Sequence, residues 1–152
     1  MQKTYIQQYY DEDYQHCFGC GPKNPDGLHI KSYPSEDLQT TYCHYTPAPA
    51  YSGGHPSKVY GGMIAMLFDC HGTASAAYFF MVNNGGKYGE EQMRRFVTAH
   101  LSINYRKPTP QSEELKLVAV AEEIGERKVR LKMLLYASGN LCADAEMVAV
   151  GL

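Results

Sequence analysis

The stretch KVYGGMIAMLFDCHGTASAAYFF, from Lys58 to Phe80, decides the architecture. Between Gly62 and Val82 there is no proline, alanine is frequent, and large apolar side chains fall on all sides of the circumference. That pattern predicts one long helix buried on most of its faces. Two glycines, Gly61 and Gly62, lead into it, and Asn83-Asn84-Gly85-Gly86 closes it, Gly and Asn being the usual residues past a helix end. A single carboxylate, Asp69, stands among the methionines and phenylalanines. A charge in such surroundings loses hydration, so it needs a partner or a task.

Working outward from the helix, the flanking sequence reads as sheet. Upstream, Leu28–Tyr33 alternates apolar and polar residues and Asp37–Tyr45 is rich in threonine and tyrosine, which predicts two strands paired across Pro34–Glu36. Gly19–Gly27 is dense in turn formers, and 46–57 carries three prolines and two glycines, so both are loops. Tyr5, Ile6, Tyr9 and Tyr10 have helical spacing and predict a short helix lying on the domain. Downstream, four more strands are expected at Phe96–Tyr105, Leu115–Ala121, Lys128–Tyr136 and Leu141–Val150. Short links at Gly125–Arg127 and Ser138–Asn140 make the last three an antiparallel meander. One helix apolar all round, in a chain with one sheet, must be wrapped by that sheet or covered by another subunit. The expected fold is α+β: a single hotdog domain over residues 1–152, an antiparallel sheet around one central helix, with 1–26 as an N-terminal extension and loop packing on it.

A formal charge of −2 gives no basic excess, which disfavours a nucleic-acid partner. Asp69, His71 and Ser75 interrupt the longest apolar run, so no membrane span is expected. The first thirteen residues lack the apolar core of a signal peptide, and the five cysteines are odd in number, so the reading is a cytoplasmic protein with reduced thiols. Cys17 and Cys20 have the spacing of half a zinc site. The complementary pair is missing, because Cys43 and His44 are neighbours on a strand and point to opposite faces. The expectation is no metal, with these cysteines in a packing role.

Cys17-Phe-Gly-Cys20-Gly-Pro-Lys-Asn24-Pro-Asp-Gly27-Leu28, Tyr60-Gly61-Gly62 followed by Asp69, Val97–Pro108 and Gly139–Ala145 together carry a resemblance. From about Cys17 to Val150 the chain resembles the hotdog-fold acyl-CoA thioesterases of the phenylacetyl-CoA thioesterase type, in the branch with an N-terminal CxxCG segment. The resemblance implies hydrolysis of an acyl-CoA to free acid and CoA, at a site shared between subunits of a homodimer or a tetrameric dimer of dimers. It implies no cofactor beyond the coenzyme A of the substrate. Tyr60 stands where most relatives have histidine.

Thioester hydrolysis needs a group that attacks or activates water and donors for the carbonyl oxygen. Asp69 fits the first requirement, as general base or nucleophile. Gly61 and Gly62 fit the second, since amides in a first helical turn lack internal partners and glycine admits a ligand closely. Thr73, one turn beyond Asp69, is placed either to orient its carboxylate or to bond back to its own helix. Tyr60 is expected to donate its phenol near the thioester or to pack. His71 points away from Asp69 and is expected to be packing or surface. Lys58, Arg94, Arg95, Arg106 and Lys107 are the expected cationic rim for the phosphates of CoA, with His55 at the mouth. The rival expectation is a non-catalytic hotdog module that binds acyl-CoA or a similar ligand.

Overall fold

The computed structural model describes residues 3–152, so the first two residues of the expected extension lie outside it. Helix α1 runs Gly61–Asn83 and is buried over most of its length. It ends where Gly85 takes φ +82°, a left-handed conformation natural to glycine, and the Gly85 and Gly86 amides bond back to Val82 and Met81.

Six strands, β1 (Ser32–Pro34), β2 (Thr40–Tyr45), β3 (Phe96–Tyr105), β4 (Leu115–Ile124), β5 (Lys128–Ala137) and β6 (Asn140–Gly151), form one antiparallel sheet. Their order is β1-β2-β4-β5-β6-β3, which puts β3 at an edge. β5 shows why the sheet takes this form: Val129, Leu131, Met133 and Leu135 face the core, while Lys128, Arg130 and Lys132 between them are exposed. Ser138 and Gly139 both have positive φ and close the β5–β6 hairpin with the turn that matches strand twist. Across the core α1 approaches β6 closely, and a Cβ at Gly72 would lie 2.5 Å from Met147 Cε.

The expected strand over 28–33 is shortened at its start. Leu28 and Ile30 donate their amides to the carbonyls of Phe18 and Gly19, and His29 has φ +53°, so this segment ties itself to the N-terminal loop instead of to β2. That loop answers the question of what covers the helix. The expected short helix is a single 3₁₀ turn, Ile6–Tyr9, followed by another at Glu12–Tyr14. Ile6, Tyr10, Cys20 and Ile30 are buried in the same core as α1, so the chain's own N-terminus supplies a cover besides the sheet.

A chain of buried polar groups fixes this cover in place. Gln7 Nε2 donates to Ser32 Oγ (3.2 Å), and the Ser32 amide donates to Gln7 Oε1 (3.0 Å). Ser32 Oγ lies 2.8 Å from His71 Nδ1, Thr41 Oγ1 is 3.4 Å from His71 Nε2, and Thr41 and Ser75 hydroxyls are 2.6 Å apart. Ser75 gives its only proton to the His71 carbonyl, so Thr41 must donate to Ser75 and accept from Nε2–H. His71 Nδ1 is then the acceptor for Ser32. All five residues are fully buried. Burial pushes the His71 imidazole down to about 3, which keeps it neutral. The residue expected to pack or reach the surface is a hydrogen-bonding hub of the core.

The first half of α1 leaves a strip open: Gly61 and Gly62 are exposed, and Ala65, Met66 and Asp69 are half-buried. No helix among the described residues is long and apolar enough to cross a membrane.

Candidate active site

Asp69 is held from across the core edge. The Thr98 hydroxyl of β3 donates to Asp69 Oδ1, and both residues are half-buried. Thr98 sits at a β-bulge: its partner on β6 is Ala149, whereas His100 pairs with Val148, leaving Ala99 as the extra residue. Bulges re-aim side chains, and here the re-aimed group meets the helix carboxylate. Nothing in the local pattern of 96–105 advertises this pairing; the two residues are joined only by tertiary structure.

Thr73 does not orient the carboxylate. Its hydroxyl donates to the backbone carbonyls of Asp69 (3.2 Å) and Cys70 (3.3 Å), the back-bonding common for threonine inside helices, and the residue is buried. The orienting role falls to Thr98.

At the helix start, Tyr60 is the N-cap residue and its side chain makes no capping hydrogen bond. The amides of Met63 and Ile64 bond to the Tyr60 carbonyl, while those of Gly61 and Gly62 precede this ladder and stand at the positive end of the helix dipole. Tyr60 packs against this turn: a Cβ at Gly62 would lie 2.3 Å from its ring. From the other side Tyr105 donates its phenol to the Gly61 carbonyl (2.9 Å). Gly61, Ile64, Val59, Tyr105, Arg106 and Lys107 line one cleft of about 290 Å³.

The expected cationic rim divides in two. Arg106 and Lys107 lie in the cleft, and Lys58 is bridged to Pro110 beside it. Arg106 is partly committed, because Nε is 2.6 Å from Asp144 Oδ2; Asp144 is held below the usual carboxylate range by that contact and by Asn104. His55 is exposed in its loop and contacts Ser57 (2.8 Å). Arg94 and Arg95 are elsewhere. Arg94 donates to the carbonyls of Leu152 and Gly151 and stacks near Phe80, at the opposite end of α1 from Gly61. Arg95 turns inward over the Tyr10 ring, 5.0 Å from its centroid. Neither reaches the cleft, because each guanidinium is engaged elsewhere on the chain.

Eight helical steps separate Gly61 from Asp69, about 12 Å at 1.5 Å per residue. The free amides and the carboxylate therefore share one strip of α1 without sharing one small ligand.

The Cys17–Cys20 pair is joined by neither Cys43 nor His44. The third sulfur comes from Cys70, beside Asp69 on α1, and lies 3.9 Å from that of Cys17. All five cysteines are free thiols.

A family model described as the thioesterase superfamily matches residues 57–143, which span the helix and most of the sheet. Among solved structures, a thioesterase superfamily protein from Shewanella loihica PV-4 is 38% identical, covers 93% of this chain and 97% of its own, and superposes with a TM-score of 0.69. The Escherichia coli PaaI protein from the phenylacetic acid degradation operon is 13% identical over 74% of this chain and 72% of its own, with a TM-score of 0.62. A Streptococcus mutans UA159 protein bound to acetyl CoA is 14% identical over 81% and 86%, with a TM-score of 0.63. The last two show likeness of fold alone. No curated protein matches the sequence.

Proposed function

Because the chain belongs to the thioesterase superfamily, we propose that it hydrolyses an acyl-CoA thioester to the free acid and CoA, working as a homodimer or a dimer of dimers. The observation that carries this reading is Asp69 itself: a carboxylate on the open strip of an apolar helix, pinned by Thr98 and beside the edge strand β3. In a pair whose helices run antiparallel, the uncapped Gly61–Gly62 turn of one chain faces Asp69 of the other. The 12 Å that separates them within one chain then becomes the reason for two.

The chemistry follows from the groups present. Asp69 takes a proton from water as the oxygen attacks the thioester carbonyl carbon; in the alternative its carboxylate attacks that carbon, CoA leaves, and water then hydrolyses the mixed anhydride to the free acid, restoring the carboxylate and supplying the proton. The Gly61 and Gly62 amides stabilise the negative oxygen of the tetrahedral intermediate. Collapse breaks the carbon–sulfur bond and releases CoA, whose thiolate takes up the proton. Lys107, Lys58 and Arg106 are placed to meet the phosphates of CoA, and the acetyl CoA bound to the streptococcal neighbour supports a ligand of this class.

Thiol release on a panel of short, long and aromatic acyl-CoAs tests the proposal. Asp69→Asn is expected to lower turnover by about 10²- to 10⁴-fold, the usual yield of a positioned acid–base group. Unchanged turnover in a folded Asp69→Asn protein would sink it. A second reading, binding of acyl-CoA without hydrolysis, is favoured by Tyr60, which puts a phenol where relatives carry histidine. Saturable binding with no thiol release across the panel selects that reading.

A further inference from the structure

Three sulfurs that the proposed hydrolysis does not use converge beside the candidate site. The Sγ atoms of Cys17, Cys20 and Cys70 all lie within 4.8 Å of one another, and the Cys17–Cys70 pair is 3.9 Å apart. A four-coordinate ion with bonds of about 2.3 Å to sulfur sets its ligands about 3.8 Å apart. The trio is therefore near the spacing for a single ion. A four-iron cluster, in which each cysteine holds a different iron, needs wider separations.

The backbone is arranged to bring these sulfurs together. Gly21 donates its amide to the Cys17 carbonyl (2.8 Å), closing the Cys17–Cys20 segment into a tight knuckle. A Cβ at Gly19 would sit 2.3 Å from Cys70 Sγ, so only glycine lets the knuckle rest on the helix this closely. Cys20 and Cys70 are buried, and Cys17 is half-exposed. Arg95 is turned inward over the Tyr10 ring, and its buried Nη1 has no hydrogen-bond partner among the described residues. Three thiolates around a dication leave one negative charge, and a buried guanidinium is a group of the kind that opposes it.

We propose that Cys17, Cys20 and Cys70 form a binding site for one soft divalent cation, zinc foremost, with a solvent oxygen reaching the fourth position past the half-exposed Cys17. Each thiol gives up its proton as the ion binds. The ion clips the N-terminal loop to α1 one residue from Asp69, and its role is structural. The proposal stands whether or not a thioester is the substrate.

Metal analysis of the full-length protein, purified reduced and without chelator, is expected to find one zinc per chain. X-ray absorption should show three sulfur neighbours and one oxygen or nitrogen. Cys17→Ser and Cys70→Ser should each lose the metal, while Cys43→Ser and Cys142→Ser, outside the trio, retain it. Because truncating a buried thiol can also unfold the chain, a titration of chelator-stripped wild type with Cd²⁺ provides the second measurement. A thiolate-to-metal absorption saturating at one ion per chain supports the site. No such absorption in folded, reduced protein overturns it, as does a disulfide within the trio in protein isolated under reducing conditions.

Discussion

Replacing Ser32 by alanine deletes one hydroxyl from the buried chain that joins Gln7, Ser32, His71, Thr41 and Ser75. Two groups lose their partners at once: Gln7 Nε2 has no acceptor and His71 Nδ1 has no donor. Both sit where solvent does not reach. An orphaned buried polar group costs about 1–3 kcal/mol, so Ser32→Ala is expected to destabilise the fold by about 2–6 kcal/mol, against about 0.5 kcal/mol or less for a surface serine. Adding Gln7→Ala removes one of the two orphans, so the double variant should cost less than the sum of the singles by about 1 kcal/mol or more. With no tryptophan in the chain, urea unfolding followed by far-ultraviolet circular dichroism, at fixed protein concentration, is the suitable assay. A loss below about 0.5 kcal/mol for Ser32→Ala, or strict additivity in the double variant, refutes the assignment of this chain of donors as a lock on the N-terminal cover.

Thr98→Val removes the donor to Asp69 while keeping the shape of the side chain. Turnover should fall by about 10- to 100-fold, the worth of a hydrogen bond to a charged group, and Thr98→Ser should restore most of it. Lys107→Ala should raise KM for a CoA thioester by about fivefold at low salt, leave kcat nearly constant, and lose its effect as salt increases. Tyr78 is fully buried and its hydroxyl has no partner among the described residues, so Tyr78→Phe should stabilise the protein by about 1 kcal/mol, read as a higher melting temperature.

What could be read in the sequence was whatever repeats at short range. The absence of proline between Gly62 and Val82, with apolar residues all round, locates α1 to within one residue at each end. Strict alternation locates β5, and Ser138–Gly139 its hairpin. The start of β1 departs from the pattern because Leu28–Lys31 alternates like a strand yet gives its hydrogen bonds to the loop at Phe18 and Gly19. Within the site, Asp69 was visible as a charge out of place, and the two glycines as an open helix end. Its orienting partner was not: Thr73 had the right helical spacing, but a hydroxyl inside a helix finds a backbone carbonyl first, and Thr98 reaches Asp69 from 29 residues away. Cys70 meets Cys17 across 53 residues, a distance over which no spacing rule operates. Arg94 and Arg95 looked free as charges in a sequence and are taken up by the C-terminal carbonyls and by Tyr10.

The position of β3 has a consequence for how the chain is made. Its hydrogen-bonded neighbour in the sheet is β6, and Phe96 is matched with Gly151, far along the chain from it. While synthesis proceeds, β1, β2, β4 and β5 can assemble as they emerge, but the strand that carries Thr98 must wait for β6 before it is paired. Through that interval an incomplete sheet edge is available to any other nascent chain, and long-range pairing of this kind is slow. The residues of β6 thus decide when the site can form, and a chain lacking them would carry its orienting threonine on a strand that was never fastened.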